Sequence, residues 1–383
     1  MTPACHQSVS REDIEKVVQV LLSNNLTQGE EIPKFESAIS SYTNSNYCVA
    51  VNSGTSALHL ACLALGLSQD SELWTSPISF VASANCGLYC GAHVDFVDID
   101  PDTANISVEA LERKLREEGP PDILVAVHFT GSPCDMVKIY GLAQQYGFKI
   151  IEDACHALGA EYRGAKVGSC YYSDMTVFSF HPVKTITTGE GGAITTNNNE
   201  WAERLRLLRS HGITREDQQN PWEYQQLGLG HNYRMTDFQA ALGRTQLIKV
   251  DEFVNYRNYL VHAYREALIH EPLQFIQGFP KYSKSAAHLC IICVEQEKRT
   301  NVFNYLRSKN VGVNVHYMPI YWHPYYQALG FQKGLCPNAE HYYNRCLTLP
   351  VTPKLSLGDQ DYIIKCVKES LQNDHSNYSG KGI

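Results

Sequence analysis

The feature that most constrains this chain is the alternation of short β-rich runs with amphipathic stretches through its first two thirds. The pattern predicts strands at Tyr47–Ser53, Glu72–Pro77, Val94–Asp100, Ile123–Phe129, Lys149–Ala154, Met175–Phe180 and Gly192–Asn197. Between several of them, Ser56–Leu67, Val108–Glu118 and Met136–Tyr146 read as helices. In the last of these, Met136, Val137, Tyr140, Leu142 and Ala143 interleave with Lys138, Gln144 and Gln145. Two parallel strands need a long crossover, usually a helix, so this order predicts an α/β unit with a mostly parallel sheet.

From Thr236 a long helical pattern runs through Tyr264. The order then changes to a strand at Ala287–Val294, a helix at Arg299–Lys309, a strand at Gly312–Tyr317 and a helix at Asp359–Gln372. This predicts a smaller C-terminal α+β domain, with the long helix as the bridge. A length of 383 residues exceeds what one core usually organises. The expected division is 1–245 and 246–383, with a loose polar tail at Asn373–Ile383.

Composition excludes several classes of function. With 44% hydrophobic and 19% charged residues the chain reads as globular rather than disordered. A formal charge of −8 argues against nucleic acid as a partner. No uncharged apolar run approaches the ~20 residues that span a bilayer, and the first residues lack a secretory pattern, so no membrane partner is expected. Thirteen cysteines, an odd number without a framework, fit reduced thiols and a cytoplasmic location. Cys290 and Cys293 form a C-x-x-C, but residues three apart on a strand face opposite ways. They read as sheet core, and no metal site is expected.

Three stretches carry chemistry. Ser53-Gly54-Thr55-Ser56 falls where a strand gives way to a helix, and a helix N-terminus offers unpaired N–H groups to a phosphate. An N-cap without a ligand explains the same residues. Asp153 closes the fifth strand, at the rim where ligands of parallel sheets bind. A carboxylate there can hold a pyridine nitrogen protonated, and it can equally be a helix cap or half of a rim ion pair. Lys184 follows the sixth strand in a loop with three glycines, Gly189, Gly191 and Gly192. A partly buried lysine can serve as a Schiff-base nucleophile, although most loop lysines are simply solvated. The order of phosphate-type turn, strand-end Asp and strand-end Lys favours a pyridoxal 5′-phosphate (PLP) site.

These stretches resemble the DegT/DnrJ/EryC1/StrS sugar-nucleotide aminotransferases, from Asp13 to Leu371. The markers are Leu26–Gly29, Asn52–Ala57, Pro77–Asn85, Glu152–Gly159, Ser179–Gly192, Gly230–Leu242 and Val315–Tyr325. The resemblance implies PLP fold type I, the aspartate-aminotransferase-like architecture. It implies that Lys184 binds PLP and shuttles the proton, that Asp153 pairs with the ring nitrogen, and that His156 sits near the phenolic oxygen. Phe80 would stack on the ring, and Gly54, Thr55 and Ser179 would bind the phosphate. Asn232 would reach the phosphate of a neighbouring subunit, which implies a homodimer with shared sites. Phe80 as core and Asn232 as a helix cap remain the plainer readings of those two residues. Relatives that replace the lysine with histidine are dehydratases, so the lysine kept here implies transamination.

Within the family the chain is most similar to enzymes of pseudaminic acid synthesis. These aminate C4 of a UDP-linked 4-keto-6-deoxy-N-acetylhexosamine with L-glutamate as donor. That similarity implies a sugar-nucleotide channel lined by Leu26, Thr27, Gln28 and Gly29, and by Asn314, Val315, His316 and Tyr317. The run Ala286-Ala287-His288-Leu289-Cys290 departs from relatives, which carry Asn before and Tyr after the histidine. Contacts from that strand are therefore open. Alternatives are transamination of another UDP- or dTDP-linked keto sugar at C4 or C3, and a non-catalytic regulator on a PLP-enzyme fold.

Overall fold

The computed structural model describes residues 7–215, 220–276 and 282–372. The proposed loose tail at Asn373–Ile383 lies outside them. Seven strands form the main sheet: β1 (Tyr47–Val51), β2 (Glu72–Thr75), β3 (His93–Phe96), β4 (Ile123–Val127), β5 (Lys149–Asp153), β6 (Met175–Ser179) and β7 (Gly192–Thr196). Their spatial order is β1-β7-β6-β5-β4-β2-β3. Neighbours from β6 through β3 run parallel, and β7 is antiparallel to both β1 and β6. All seven predicted strands form, several of them shorter than expected. Every residue of β4 is buried, because crossover helices cover both faces of a parallel sheet.

The antiparallel β7 determines what meets at the sheet's rim. It pairs Gly192 with Val51 on one side and with Ser179 on the other. The end of β1, the end of β6 and the start of helix Gly54–Ala64 therefore converge. Ser53 caps that helix, its side chain accepting from Ser56 N at 3.0 Å.

A second, antiparallel sheet has the order β8 (Gln274–Ile276), β9 (Cys290–Cys293) and β10 (Cys346–Leu349). Helices Gln296–Ser308 and Leu357–Gln372 pack on it through Leu306, Val302, Ile363 and Val367. All four residues of β9 are buried, and Cys290 and Cys293 enter different apolar clusters. The C-x-x-C is sheet core, as its spacing predicts.

Two expectations need correction. The predicted strand Gly312–Tyr317 is absent; only Asn314 bridges, to Thr348. Asn314 Oδ1 accepts from Val315 N at 2.8 Å, and the His316 carbonyl is taken by the Tyr342 hydroxyl, so side chains occupy the groups a ladder would use. The long helix from Thr236 is two helices, Asp237–Leu247 and Val250–Ala267, separated at Ile248 and Lys249. Lys249 N turns back to Gln246 O at 3.0 Å, while its ammonium reaches Asp13 of the N-terminal helix Arg11–Leu21 and that helix's cap, Ser10. Docking that helix ends the first segment, although no Gly or Pro marks the place.

Candidate active site

At the carboxyl ends of β5 and β6, beside the N-terminus of helix Gly54–Ala64, lies a cavity of about 440 Å³. Consecutive residues of a strand face opposite ways, and this separates the two carboxylates that end β5. Glu152 faces buried polar groups, accepting from His128 Nε2 at 2.6 Å and from Thr176 Oγ1 at 3.1 Å. Asp153 faces the cavity and is 5% exposed. Its Oδ2 accepts from Ser83 Oγ at 2.6 Å and its Oδ1 from Cys155 N at 3.1 Å. Ser83 Oγ in turn lies 2.7 Å from Ser79 Oγ.

Lys184 stands across the cavity, in the loop that reverses the chain between β6 and β7. Threonines fix that loop: Thr187 Oγ1 donates to Phe180 O at 3.0 Å and Thr188 Oγ1 to Glu190 O at 2.7 Å. Lys184 N donates to His181 O at 2.9 Å, closing a tight turn that leaves the side chain half-buried. Gly54 has no room for a side chain, since a Cβ there would sit 2.8 Å from Ser179 Cβ. Phe80 lines the cavity yet is 59% exposed, an open aromatic face at the mouth of a polar site.

His156 forms a buried wall, with its ring centroid 4.3 Å from that of His288. Neither Nδ1 has a hydrogen-bond partner. Burial, then the nearby Lys184 and the unfavourable effect of protonating both His156 and His316, holds His156 well below the ordinary imidazole range, so it is neutral. Burial, then His156 and Lys184, acts in the same direction on His288. His316 is pushed down to about 4 by burial and by Lys184. Its Nδ1 pairs with Thr348 Oγ1 at 2.8 Å.

One cavity thus brings together Gly54, Thr55, Phe80, Asp153, His156, Ser179, Lys184 and Tyr317. Leu26, Thr27, Gln28 and Gly29 are not in its wall. They lie against the start of helix Asp237–Leu247, where Thr27 bridges Thr236 and Gly29 N donates to Asp237 Oδ2 at 2.8 Å. Asn314, Val315 and His316 are not in its wall either, although His316 is near enough to Lys184 to feel its charge. Asn232 is exposed and bridges Ser210; the cap of the following helix is Thr236 rather than Asn232. The sequence gives no signal for Ser79 and Ser83: Ser79 lies in the bend before helix Ala82–Tyr89 and Ser83 in its first turn, and the turn at Phe80 brings their hydroxyls together.

The comparisons with known proteins cover the whole arrangement. Residues 7–368 match the model of the DegT/DnrJ/EryC1/StrS aminotransferase family. A UDP-4-amino-4,6-dideoxy-N-acetyl-beta-L-altrosamine transaminase of Campylobacter jejuni is 36% identical over 380 residues, covering 98% of this chain and 99% of that protein. Helicobacter pylori PseC, an aminotransferase of pseudaminic acid biosynthesis, superposes with a TM-score of 0.89 at 32% identity, covering 97% of this chain and 99% of that one. A Streptococcus pneumoniae protein described as a candidate sugar aminotransferase, solved in its PMP form, superposes with a TM-score of 0.90 at 28% identity, covering 96% and 98%. Its PLP form gives 0.89. The chain belongs to the DegT/DnrJ/EryC1/StrS aminotransferase family and is a PLP-dependent sugar aminotransferase of fold type I.

Proposed function

We propose that the chain transfers the amino group of L-glutamate to C4 of a UDP-linked 4-keto-6-deoxy-N-acetylhexosamine. The observation that carries the reading is the convergence of Lys184, Asp153 and the Gly54 turn on one cavity. The residues there fit PLP: Gly54 leaves a cradle that a Cβ would fill, and His156 Nδ1 is a buried polar atom lacking a partner. When bound, PLP supplies an electron sink that stabilises negative charge at the carbon losing its proton.

The side chains then take distinct roles. Lys184 would hold the cofactor through Nζ. Once displaced by the amino donor, it would take the donor's α-proton and later deliver a proton to C4 of the sugar, from one face only. Asp153 would keep the proton on the ring nitrogen, and neutral His156 would offer a hydrogen bond near the phenolic oxygen. Phe80 would cover the ring. The first amides of helix Gly54–Ala64, with Thr55 and Ser179, would bind the phosphate.

Leu26–Gly29 and Asn314–His316 would contact the sugar nucleotide beyond the cavity wall, and Tyr317 would contact it from within the wall. Asn232, exposed in its own subunit, would reach the phosphate site of a second copy in a homodimer. The cofactor would be held by residues 1–245, with 246–383 forming one side of the substrate entrance. No helix among the described residues is long and apolar enough to cross a membrane, and we place the reaction in the cytoplasm. Incubating purified protein with glutamate and a panel of UDP- and dTDP-linked 3- and 4-keto sugars, then locating the new amine by NMR, tests the assignment. Amination of the UDP-linked 4-keto sugar at C4 supports it. Preference for a dTDP sugar or for C3 selects another transaminase, and failure of glutamate to bleach the cofactor band in every case points to a non-catalytic protein.

A further inference from the structure

The carboxylate of Asp153 is held by more than its own strand. One turn of chain at the start of helix Ala82–Tyr89 presents Phe80 to the cavity and Ser83 to Asp153. Ser83 is 1% exposed and Ser79 6% exposed, so no bulk water competes for their hydroxyls. An ionised carboxylate can only accept, so Ser83 must donate to Oδ2 across the 2.6 Å contact. Ser83 Oγ then offers its lone pairs to Ser79, which fixes the 2.7 Å contact as Ser79 donating to Ser83. The result is a directed relay, Ser79 to Ser83 to Asp153, in which each hydroxyl polarises the next. Cys155 N occupies the other carboxylate oxygen at 3.1 Å. The carboxylate is thereby fixed in orientation before any ligand arrives.

We propose that Ser83, backed by Ser79, is a positioning residue that governs where the proton of the Asp153–cofactor pair resides. The proposal rests on the reading of Asp153 as partner of the ring nitrogen. With the relay intact, the carboxylate stays aimed at the ring nitrogen and holds the proton there. Without it, the carboxylate is free to rotate away, and the ring nitrogen loses the partner that keeps it protonated.

The test uses full-length apoprotein reconstituted with PLP labelled with ¹⁵N in its ring. In wild type the ring-nitrogen resonance should sit at the protonated position. Ser83→Ala should move it toward the unprotonated position and weaken PLP binding several-fold, because the carboxylate is no longer held in orientation before the cofactor binds. Ser79→Ala should move the resonance the same way by less. Ser83→Thr, which retains the hydroxyl, should keep the nitrogen protonated.

A folded Ser83→Ala protein with unchanged resonance and unchanged PLP affinity overturns the relay. If that variant does not fold, an unmoved resonance in Ser79→Ala has the same force. Asp153→Asn separates the two claims. A ring nitrogen still protonated in that variant refutes the reading of Asp153 itself. A nitrogen that loses its proton there, but keeps it in Ser83→Ala, refutes only the relay.

Discussion

Replacing Gly54 with alanine tests how tightly the phosphate end of the cavity is built. A Cβ on Gly54 would lie 2.8 Å from Ser179 Cβ, 3.1 Å from Ser179 Oγ and 3.4 Å from Cys155 Sγ. Unstrained carbon contacts lie at about 3.5–4.0 Å, so the closest falls short by close to 1 Å. Ser179 has little freedom to retreat, because it pairs with Gly192 in the β6–β7 ladder. Gly192 is in turn pressed against the Ser53 carbonyl. The strain must therefore splay the helix from the strand and separate its first amides from Ser179. Overpacking of this kind costs about 1–3 kcal/mol. Expressed in the bound state, that is roughly 5- to 150-fold weaker PLP binding. Titrating PLP into apoprotein while following intrinsic fluorescence reads the affinity, and urea unfolding reads the remainder. An affinity within twofold of wild type together with unchanged unfolding would show that the Gly54–Ser179 contact is not tight.

Gly141 is the internal control: it lies within helix Met136–Tyr146 with nothing within 4 Å of its Cβ position. Gly141→Ala should raise urea stability by about 0.5–1 kcal/mol and leave PLP affinity unchanged. Asp13→Ala should cost about 3 kcal/mol, because the carboxylate is buried and accepts from Lys249 Nζ at 3.0 Å and Gln246 Nε2 at 2.7 Å. Limited proteolysis should then cut near Arg11–Leu21 before the rest of the chain. In the apoprotein, acid should destabilise the fold between pH 6.5 and 4. The unfolded chain binds a proton at His316 through that window, whereas the folded chain, with its pKa pushed down to about 4, does not. His156 and His288 act in the same direction. His316 alone accounts for about 2 kcal/mol at pH 5, and His316→Gln should flatten the urea-stability profile by that amount.

The main sheet was legible in the sequence because its strands are short buried runs separated by helices of clear periodicity. Helices Val108–Glu118 and Met136–Tyr146 form with the predicted ends. Their stops are local: Gly119 and Gly147 both adopt positive φ immediately after the last turn. What was not legible depends on contacts distant in sequence. The break at Lys249 is set by Asp13, more than 230 residues earlier. The failed strand at Gly312–Tyr317 has strand-like composition, but its polar groups are taken by Asn314, Tyr342 and Thr348.

The same division holds at the site. Asp153, Lys184 and Gly54 occupy strand ends and a helix start, so topology alone brings them together. Ser83 lies within the Pro77–Asn85 stretch, but nothing in that stretch marks it as a partner of Asp153, and only the packing of helix Ala82–Tyr89 against the end of β5 aims it there. The partnership of His156 with His288 was likewise hidden. It depends on the Gly131 turn, where a Cβ would meet His156 O at 2.8 Å and His288 N at 3.1 Å.

The most direct measurement is chemical trapping of the cofactor. Holoprotein is reduced with borohydride and digested, and the pyridoxyl-bearing peptide is sequenced by mass spectrometry. A single modified residue, Lys184, is expected, with no label in Lys184→Ala protein treated in the same way. A pyridoxyl group on another lysine of the wild-type protein, or full transaminase activity in Lys184→Ala, would contradict it.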